Sequence, residues 1–313
     1  MKLLEFRAMN TSVIMALESE SGTDEGLRQT QAFIENSERR FSRFLPDSEI
    51  SQLNAAAGHW AEVSSDLLDM LVLSKAYHAE TAGLFDPSIL PDLKRAGYDV
   101  SMDEVRRRAD TGSTIAVRSE RPTLTSMEID ATGSRVKIPE GMEIDLGGIA
   151  KGWIVQAAAT LLKSYGTAAA VNAGGDMYFA GLPEDGERWQ VEIEDPRDAH
   201  RTVAKLHVGE GAVVTSSISK RTWSRGGQNL HHIIDPRTGE PALAEWLSVT
   251  VVAPQADLAE AYAKAFLIGG REEATRLMLQ RPRIAVVCID AEGQITVSPN
   301  SKEYLNDRNQ LLQ

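Results

Sequence analysis

Glu143-Ile144-Asp145-Leu146-Gly147-Gly148-Ile149-Ala150-Lys151-Gly152 is the stretch on which the reading of this chain turns. Apolar and acidic residues alternate up to Asp145, the rhythm of a strand with one buried face. A glycine pair follows, then a short apolar step, a lysine and a third glycine. Beyond Gly152 the period changes. Trp153, Ile154, Ala157, Ala158, Leu161 and Leu162 recur at helical spacing, and Gly166 stops the helix. The small-residue strand Ala168–Val171 then runs into a second glycine turn, Asn172-Ala173-Gly174-Gly175-Asp176. Glycines let a ligand approach the backbone closely, and a helix N-terminus offers free N–H groups to an anion. On their own, these signals fit a ligand site and two ordinary glycine turns equally well.

Toward the N-terminus, residues 3–18 read as two short strands around Met9-Asn10-Thr11. A helix is predicted over 24–44, with Thr23 as its N-cap and Leu27, Phe33, Ile34 and Phe41 on its apolar side. Ser48–Asn54 reads as a polar turn with an apolar rhythm at Ile50 and Leu53. Ser64-Ser65-Asp66 caps a further helix with Leu67, Leu68, Leu71, Val72 and Ala76 inward, and Gly83 closes it. Leu84-Phe85-Asp86-Pro87-Ser88 is an Asp-Pro turn or a ligand contact. The charged stretch 101–122, with a short helix at Ser101–Ala109, is expected to be an exposed insertion.

Toward the C-terminus, strands are predicted around Trp189–Glu194, Thr202–Val208, Val213–Ser217 and Leu247–Val252. A basic hairpin spans Lys220–Gln228. The helix Ala256–Ile268 is closed by Gly269-Gly270, and the helix Glu272–Gln280 and a hairpin at Ile284–Ile289 and Ile295–Val297 follow. The irregular mixture of hairpins and helices predicts an α+β fold with a mixed sheet. No repeat or interdomain linker is visible, and 1–313 is read as one domain.

At 313 residues the chain can bury a large core, and 42% hydrophobic with 25% charged residues is ordinary for a globular protein. The formal net charge of −12, without clustered Lys/Arg and interleaved aromatics, argues against a nucleic-acid partner. The single cysteine, Cys288, lies in an apolar run and reads as a buried strand residue, with no internal disulfide possible. Glu5 and Arg7 interrupt any secretory h-region, and no window has the length of a membrane span. A cytoplasmic location is therefore expected.

His231 and His232 stand out among only six histidines. Neighbours on a strand face opposite ways, so one of them can meet a pocket as a general base. The turn Asp235-Pro236-Arg237-Thr238-Gly239 crowds charged and hydroxyl groups beside them. A pair of structural histidines in a hairpin fits the same residues. The glycine pattern is not G-x-G-x-x-G, and no P-loop, H-E-x-x-H or nucleophile elbow is present.

Asp145-Leu146-Gly147-Gly148-Ile149-Ala150-Lys151-Gly152 resembles the D-L-G-G-I-A-K-G motif of the ApbE-type flavin transferases (FAD:protein FMN transferases). The resemblance runs from Met9-Asn10-Thr11, usually M-G-T, to Gly269-Gly270. It takes in Ser48–Asn54, Phe85–Ser88, Val171–Asp176, Thr215-Ser216 and His232–Gly239. It implies a two-lobed α+β fold with mixed sheets and FAD in a cleft between the lobes. In such proteins FAD is split at its pyrophosphate, FMN goes to a Thr or Ser hydroxyl of an acceptor flavoprotein, and AMP leaves. Mg²⁺ usually bridges the phosphates. Carried over by position, Met9 and Phe44 contact the flavin. Leu84, Phe85 and Asp86 line the cleft, Asp145 and Lys151 hold FAD, Ile234 packs against it, and His232 is the base. The Gly148 carbonyl is a metal ligand.

On the late helix the family pattern A-D-A-x-x-T supplies an Asp and a Thr to the cation. This chain reads Ala259-Glu260-Ala261-Tyr262-Ala263-Lys264. Glu260 can still ligate, but Lys264, one turn on and on the same face, cannot. Either the lysine repels the metal, or its ammonium neutralises the pyrophosphate itself. The resemblance thus implies a transferase. Its alternatives are a diverged FAD-binding protein that transfers nothing and an FAD pyrophosphatase.

Overall fold

The computed structural model describes residues 1–108 and 121–305. Strands β1 (Lys2–Ala8) and β2 (Thr11–Glu18) form a hairpin, and α1 (Thr23–Phe41) follows. Helix α2 (Glu49–Ala55), strand β3 (Trp60–Glu62), α3 (Ser65–Glu80), α4 (Leu90–Arg95) and α5 (Met102–Arg107) come next. Short strands β4 (Glu128–Asp130) and β5 (Arg135–Lys137) complete a small sheet with β3. After α6 (Ala150–Lys163) come β6 (Ala168–Ala173), β7 (Asp176–Ala180), the ribbon β8 (Trp189–Asp195) and β9 (Asp198–Val208), and β10 (Gly211–Ser217). The hairpin β11 (Thr222–Arg225) and β12 (Gln228–His231), strand β13 (Trp246–Ala253), helix α7 (Ala256–Gln280), β14 (Ala285–Asp290) and β15 (Ile295–Val297) close the order.

The main sheet runs β1-β2-β6-β7-β10-β13-β14-β15. Its central strands read as unbroken apolar runs because both faces are covered. On β13, Val249 and Val251 join the core under α6 and α7, while Val252 faces the β8–β9 ribbon; β14 divides the same way. Cys288 is buried on the helix side, where burial pushes its thiol up to about 12 and keeps it unreactive. A third apolar cluster joins α4, α5 and the β11–β12 hairpin through Leu93, Tyr98, Met102, Trp223 and Ile234. None of the helices among the described residues is long and apolar enough to cross a membrane.

The fold is α+β as expected, but the sheets are not mixed. Every strand pairing among the described residues is antiparallel. The expected strand ahead of the first glycine pair is the reason. Residues 143–146 join no sheet. The Asn54 side chain takes both backbone groups of Ile144, at 2.8 and 2.9 Å, and the Asp145 N–H donates to the Pro87 carbonyl at 2.8 Å. With its hydrogen bonds spent there, the segment has none for a strand neighbour, and no parallel β-α-β unit forms.

Three smaller expectations also change. Glu49–Ala55 is a helix rather than a polar turn, because Ser48 accepts the Ser51 N–H as its N-cap and Ile50 and Leu53 are buried. Helix α1 starts from Gly22 in the left-handed region rather than from a Thr23 cap, and ends at Phe41, which turns Arg43 and Phe44 out of the helix. The described ends of the charged stretch 101–122 are only partly as expected: Asp103, Glu104 and Arg106–Arg108 are exposed, but other residues are packed. Met102 and Val105 enter the third cluster, and Arg121 is buried, donating to Asp92 at 2.8 Å and Ser88 at 2.6 Å. Residues 109–120, the middle of that expected insertion, lie outside the described residues.

Candidate active site

A cleft open to solvent runs between the first glycine pair and the residues that flank the β11–β12 hairpin, Arg221 and His232. Met9, Phe44, Leu84, Phe85, Asp86, Asp145, Gly148, Lys151, His232, Ile234 and Lys264 all line it, although they are scattered over more than 250 residues of sequence.

The acidic side is built by short-range turns. Asp145 Oδ1 accepts the Gly147 N–H at 2.8 Å, and its Oδ2 lies 3.3 Å from Arg43 Nε. The Arg43 guanidinium sits over the rings of Phe44 and Tyr98, at 4.1 and 4.7 Å from their centroids. Asp86 serves an Asx turn, accepting the Ser88 N–H at 2.9 Å and the Ser88 hydroxyl at 2.6 Å, with the Arg121 guanidinium 3.7 Å away. Its carboxylate is buried and engaged, so the turn reading holds for the side chain even though the residue lines the cleft.

The basic side gathers Lys151, Lys264 and Arg221. The Lys151 ammonium donates to buried Asp176, the residue that follows the second glycine pair. Burial pulls the Lys151 pKa down to about 7, and Arg221, Lys264 and Lys220 push the same way. The Glu260 carboxylate and the Asp176 oxygen in direct contact oppose them, and that contact favours the charged form. Arg221 hydrogen-bonds Tyr98, and its carbonyl accepts the His232 N–H at 3.3 Å.

Of the two histidines, His232 faces the cleft. His231 points to the next segment, its Nε2 3.2 Å from the Ala242 carbonyl, rather than to open solvent. Burial first, then Arg221, Lys264, His231 and Lys151, hold the His232 pKa well below 6.5. The ring is neutral at pH 7 and able to take a proton. Its Nδ1 makes no hydrogen bond within the protein. In the neighbouring Asp235–Gly239 segment Asp235 pairs with Arg237 at 2.8 Å, Arg95 donates to the Gly239 carbonyl, and Pro236 lines the cleft.

Glu260 does not line the cleft. It is fully buried beneath it. Its Oε2 accepts the Gly152 N–H at 2.8 Å in the first turn of α6, and its Oε1 accepts from Lys264 Nζ at 3.1 Å. The anion on this helix N-terminus is therefore the protein's own carboxylate. Gly152 is required there, because a Cβ would land on the Ala256 carbonyl. A divalent cation fits poorly at this point. Both carboxylate oxygens are taken, an ammonium stands beside them, and no group of three His, Cys, Asp or Glu suited to a metal exists among the described residues.

The model of the ApbE family matches residues 9–288. The chain belongs to the ApbE family. Relatives include an FAD:protein FMN transferase of Rhodobacter capsulatus, 33% identical over 264 residues, which are 82% of this chain and 49% of that protein. The chain thus spans about half the length of that relative. Another, from Klebsiella pneumoniae (strain 342), is 26% identical over 292 residues, 90% of this chain and 82% of that one. Among solved structures, the ApbE protein of Thermotoga maritima superposes with a TM-score of 0.85 at 25% identity, covering 98% of this chain and 99% of its own. The flavin transferase ApbE of Vibrio cholerae gives 0.80 at 25% identity, covering 97% and 99%. Sequence reasoning assigned no part to Arg43, Tyr98 or Arg221. The only signal was the basic character of the Lys220–Gln228 hairpin, which was read without a partner.

Proposed function

We propose that this ApbE-family chain binds FAD in the cleft and transfers its FMN moiety to a Ser or Thr hydroxyl of an acceptor flavoprotein, with AMP leaving. The observation that carries the reading is His232, a neutral imidazole set among Lys151, Lys264 and Arg221 in a cleft with an apolar floor. Phosphoryl transfer asks for little covalent chemistry from the protein. It needs positive groups on the diphosphate and a base for the attacking hydroxyl. The acceptor oxygen bonds to the FMN phosphorus, and the bond to the bridging oxygen breaks. That oxygen departs with AMP, and the hydroxyl proton passes to His232. Met9, Phe44, Leu84, Phe85 and Ile234 form the apolar surface for the flavin, while Asp145 and Lys151 fix the nucleotide.

The test is incubation with FAD and an acceptor flavoprotein, followed by mass spectrometry for an FMN adduct on the acceptor and for free AMP. FMN and AMP without an adduct would make the chain a pyrophosphatase. Tight FAD binding with neither product would make it a binding protein. FAD should also bind more tightly than riboflavin, since the cations serve the phosphates; equal affinities would remove the diphosphate from the reading.

A further inference from the structure

We propose that the Lys264 ammonium, seated on Glu260 against Gly148, is a built-in counter-cation for the FAD diphosphate, so that this chain binds its dinucleotide without a divalent metal. The inference rests on the FAD reading above. Glu260 and Lys264 lie one turn apart on α7, and both side chains are nearly closed off from solvent, at 1% and 18% exposure. The carboxylate is held on its other oxygen by the Gly152 N–H, and Lys264 itself lines the cleft. Its stem runs beside Gly148, where a Cβ would meet Lys264 Cδ and Cε at 3.4 Å. That is ordinary contact distance, so the stem packs directly along the Gly148 backbone. The fixed positive charge therefore stands where Gly148, Glu260 and the basic wall converge. A divalent ion there would have to break the 3.1 Å Lys264–Glu260 contact and remain beside a displaced ammonium. A diphosphate meets ready charge-assisted donors without that cost.

The experiment titrates the whole chain with FAD, by flavin fluorescence, once with EDTA and once with excess Mg²⁺, with riboflavin as the phosphate-free control. The expected result is FAD affinity equal within about threefold in the two conditions. Lys264→Met keeps the stem but removes the charge. It should lose about tenfold or more in FAD affinity under EDTA, leave riboflavin binding unchanged, and recover part of the loss with Mg²⁺ as Glu260 Oε1 comes free. Lys264→Arg should keep metal-free binding. If the native chain binds FAD only with Mg²⁺, the counter-cation is overturned while the FAD reading stands. If Lys264→Met binds FAD like the native chain under EDTA, it is overturned as well. If the native chain binds FAD in neither condition, the FAD reading itself falls. The native comparison requires no variant to fold.

Discussion

Gly147-Gly148 and Gly174-Gly175 are the same dipeptide, each closing an apolar segment in the same forty residues, yet they do different physical work. Gly174 and Gly175 are glycines for their backbone. Both have positive φ, +65° and +99°, and they form the two-residue turn between Ala173 and Asp176. Neither reaches the cleft. Gly147 and Gly148 have ordinary φ and are glycines for space. The first leaves room for the Asp145 turn, and the second for the Phe85 ring. A glycine required by φ speaks of a fold. A glycine required by space at the wall of a cleft speaks of what fills that cleft.

The strongest test of this contrast lies across the cleft from the first pair. His232→Ala should lower FMN transfer by roughly 10²–10⁴-fold, the usual worth of a general base, while FAD affinity stays within about threefold. Unchanged turnover would leave the first pair's cleft without its chemistry. The pH dependence follows from the sign of the shift. His232 titrates well below 6.5, so the transfer rate should fall as pH drops below 6.5 and the ring gains its proton, whereas a loss toward higher pH belongs to Lys151, whose pKa burial pulls down to about 7. An acid-side midpoint at or above 6.5 would contradict the neutral base. The same shift makes the folded state favour the neutral ring. That stabilisation is complete above 6.5 and is lost as pH falls below it toward the depressed value.

The second test sets the pairs directly against each other. Gly174→Ala places a Cβ in the left-handed region and against the Thr11 hydroxyl, and should destabilise the fold by roughly 1–3 kcal/mol with FAD affinity unchanged per folded molecule. Gly148→Ala strains no backbone. It asks the Phe85 ring, 3.0 Å from the new methyl, to yield, while the Lys264 stem at 3.4 Å stays at contact distance. The melting temperature should move by less than about 3 °C, while FAD affinity falls about tenfold because Phe85 is pushed within the cleft it lines. Thermal melts and FAD titrations on both variants decide it. If Gly148→Ala lost stability and kept affinity, the contrast would be inverted.

The same contrast marks what sequence could and could not reveal. Helices α3 and α6 and most strands of the main sheet are legible, because periodicity and caps are local; β7 (Asp176–Ala180), directly after the second glycine pair, is the strand the reading lacks. Membership of the cleft was legible only through the resemblance, since Met9 and Lys264 meet across nearly the whole chain. Two features escaped for a physical reason. The strand rhythm before Asp145 is genuine, but a single side chain, Asn54, ninety residues away, claims its backbone. Glu260 reads as a ligand, but the helix N-terminus it caps comes from α6, 108 residues earlier. Long-range closures of that kind leave no local trace. Arg43 and Arg221 illustrate the same limit, for a cation becomes part of a site only when the fold gathers an anion's worth of them.

The smallest expected effect concerns a third turn, which tests whether the two kinds of glycine can be told apart where glycine is missing. Met9 and Asn10 join β1 to β2 with φ of +52° and +57°, a two-residue turn of the kind that Gly174-Gly175 makes between β6 and β7. The resembling family places glycine at the second position, and this chain has asparagine, the ordinary residue that tolerates this region best. If glycine there serves φ alone, Asn10→Gly should relieve the strain and stabilise the fold by about 0.5 kcal/mol, a rise of 1–2 °C in melting temperature. Met9 would keep its place at the cleft, and FAD affinity would not change. If glycine there serves space, as at Gly148, removing the Asn10 side chain from the cleft wall should change FAD affinity with no gain in stability. Differential scanning calorimetry and FAD titration of this one variant separate the two. The first outcome is expected, because the backbone here is strained: a methionine beside Asn10 also sits at positive φ, a conformation that a β1–β2 hairpin sustains only through the rest of its pairing, from Lys2–Leu17 to Ala8–Thr11.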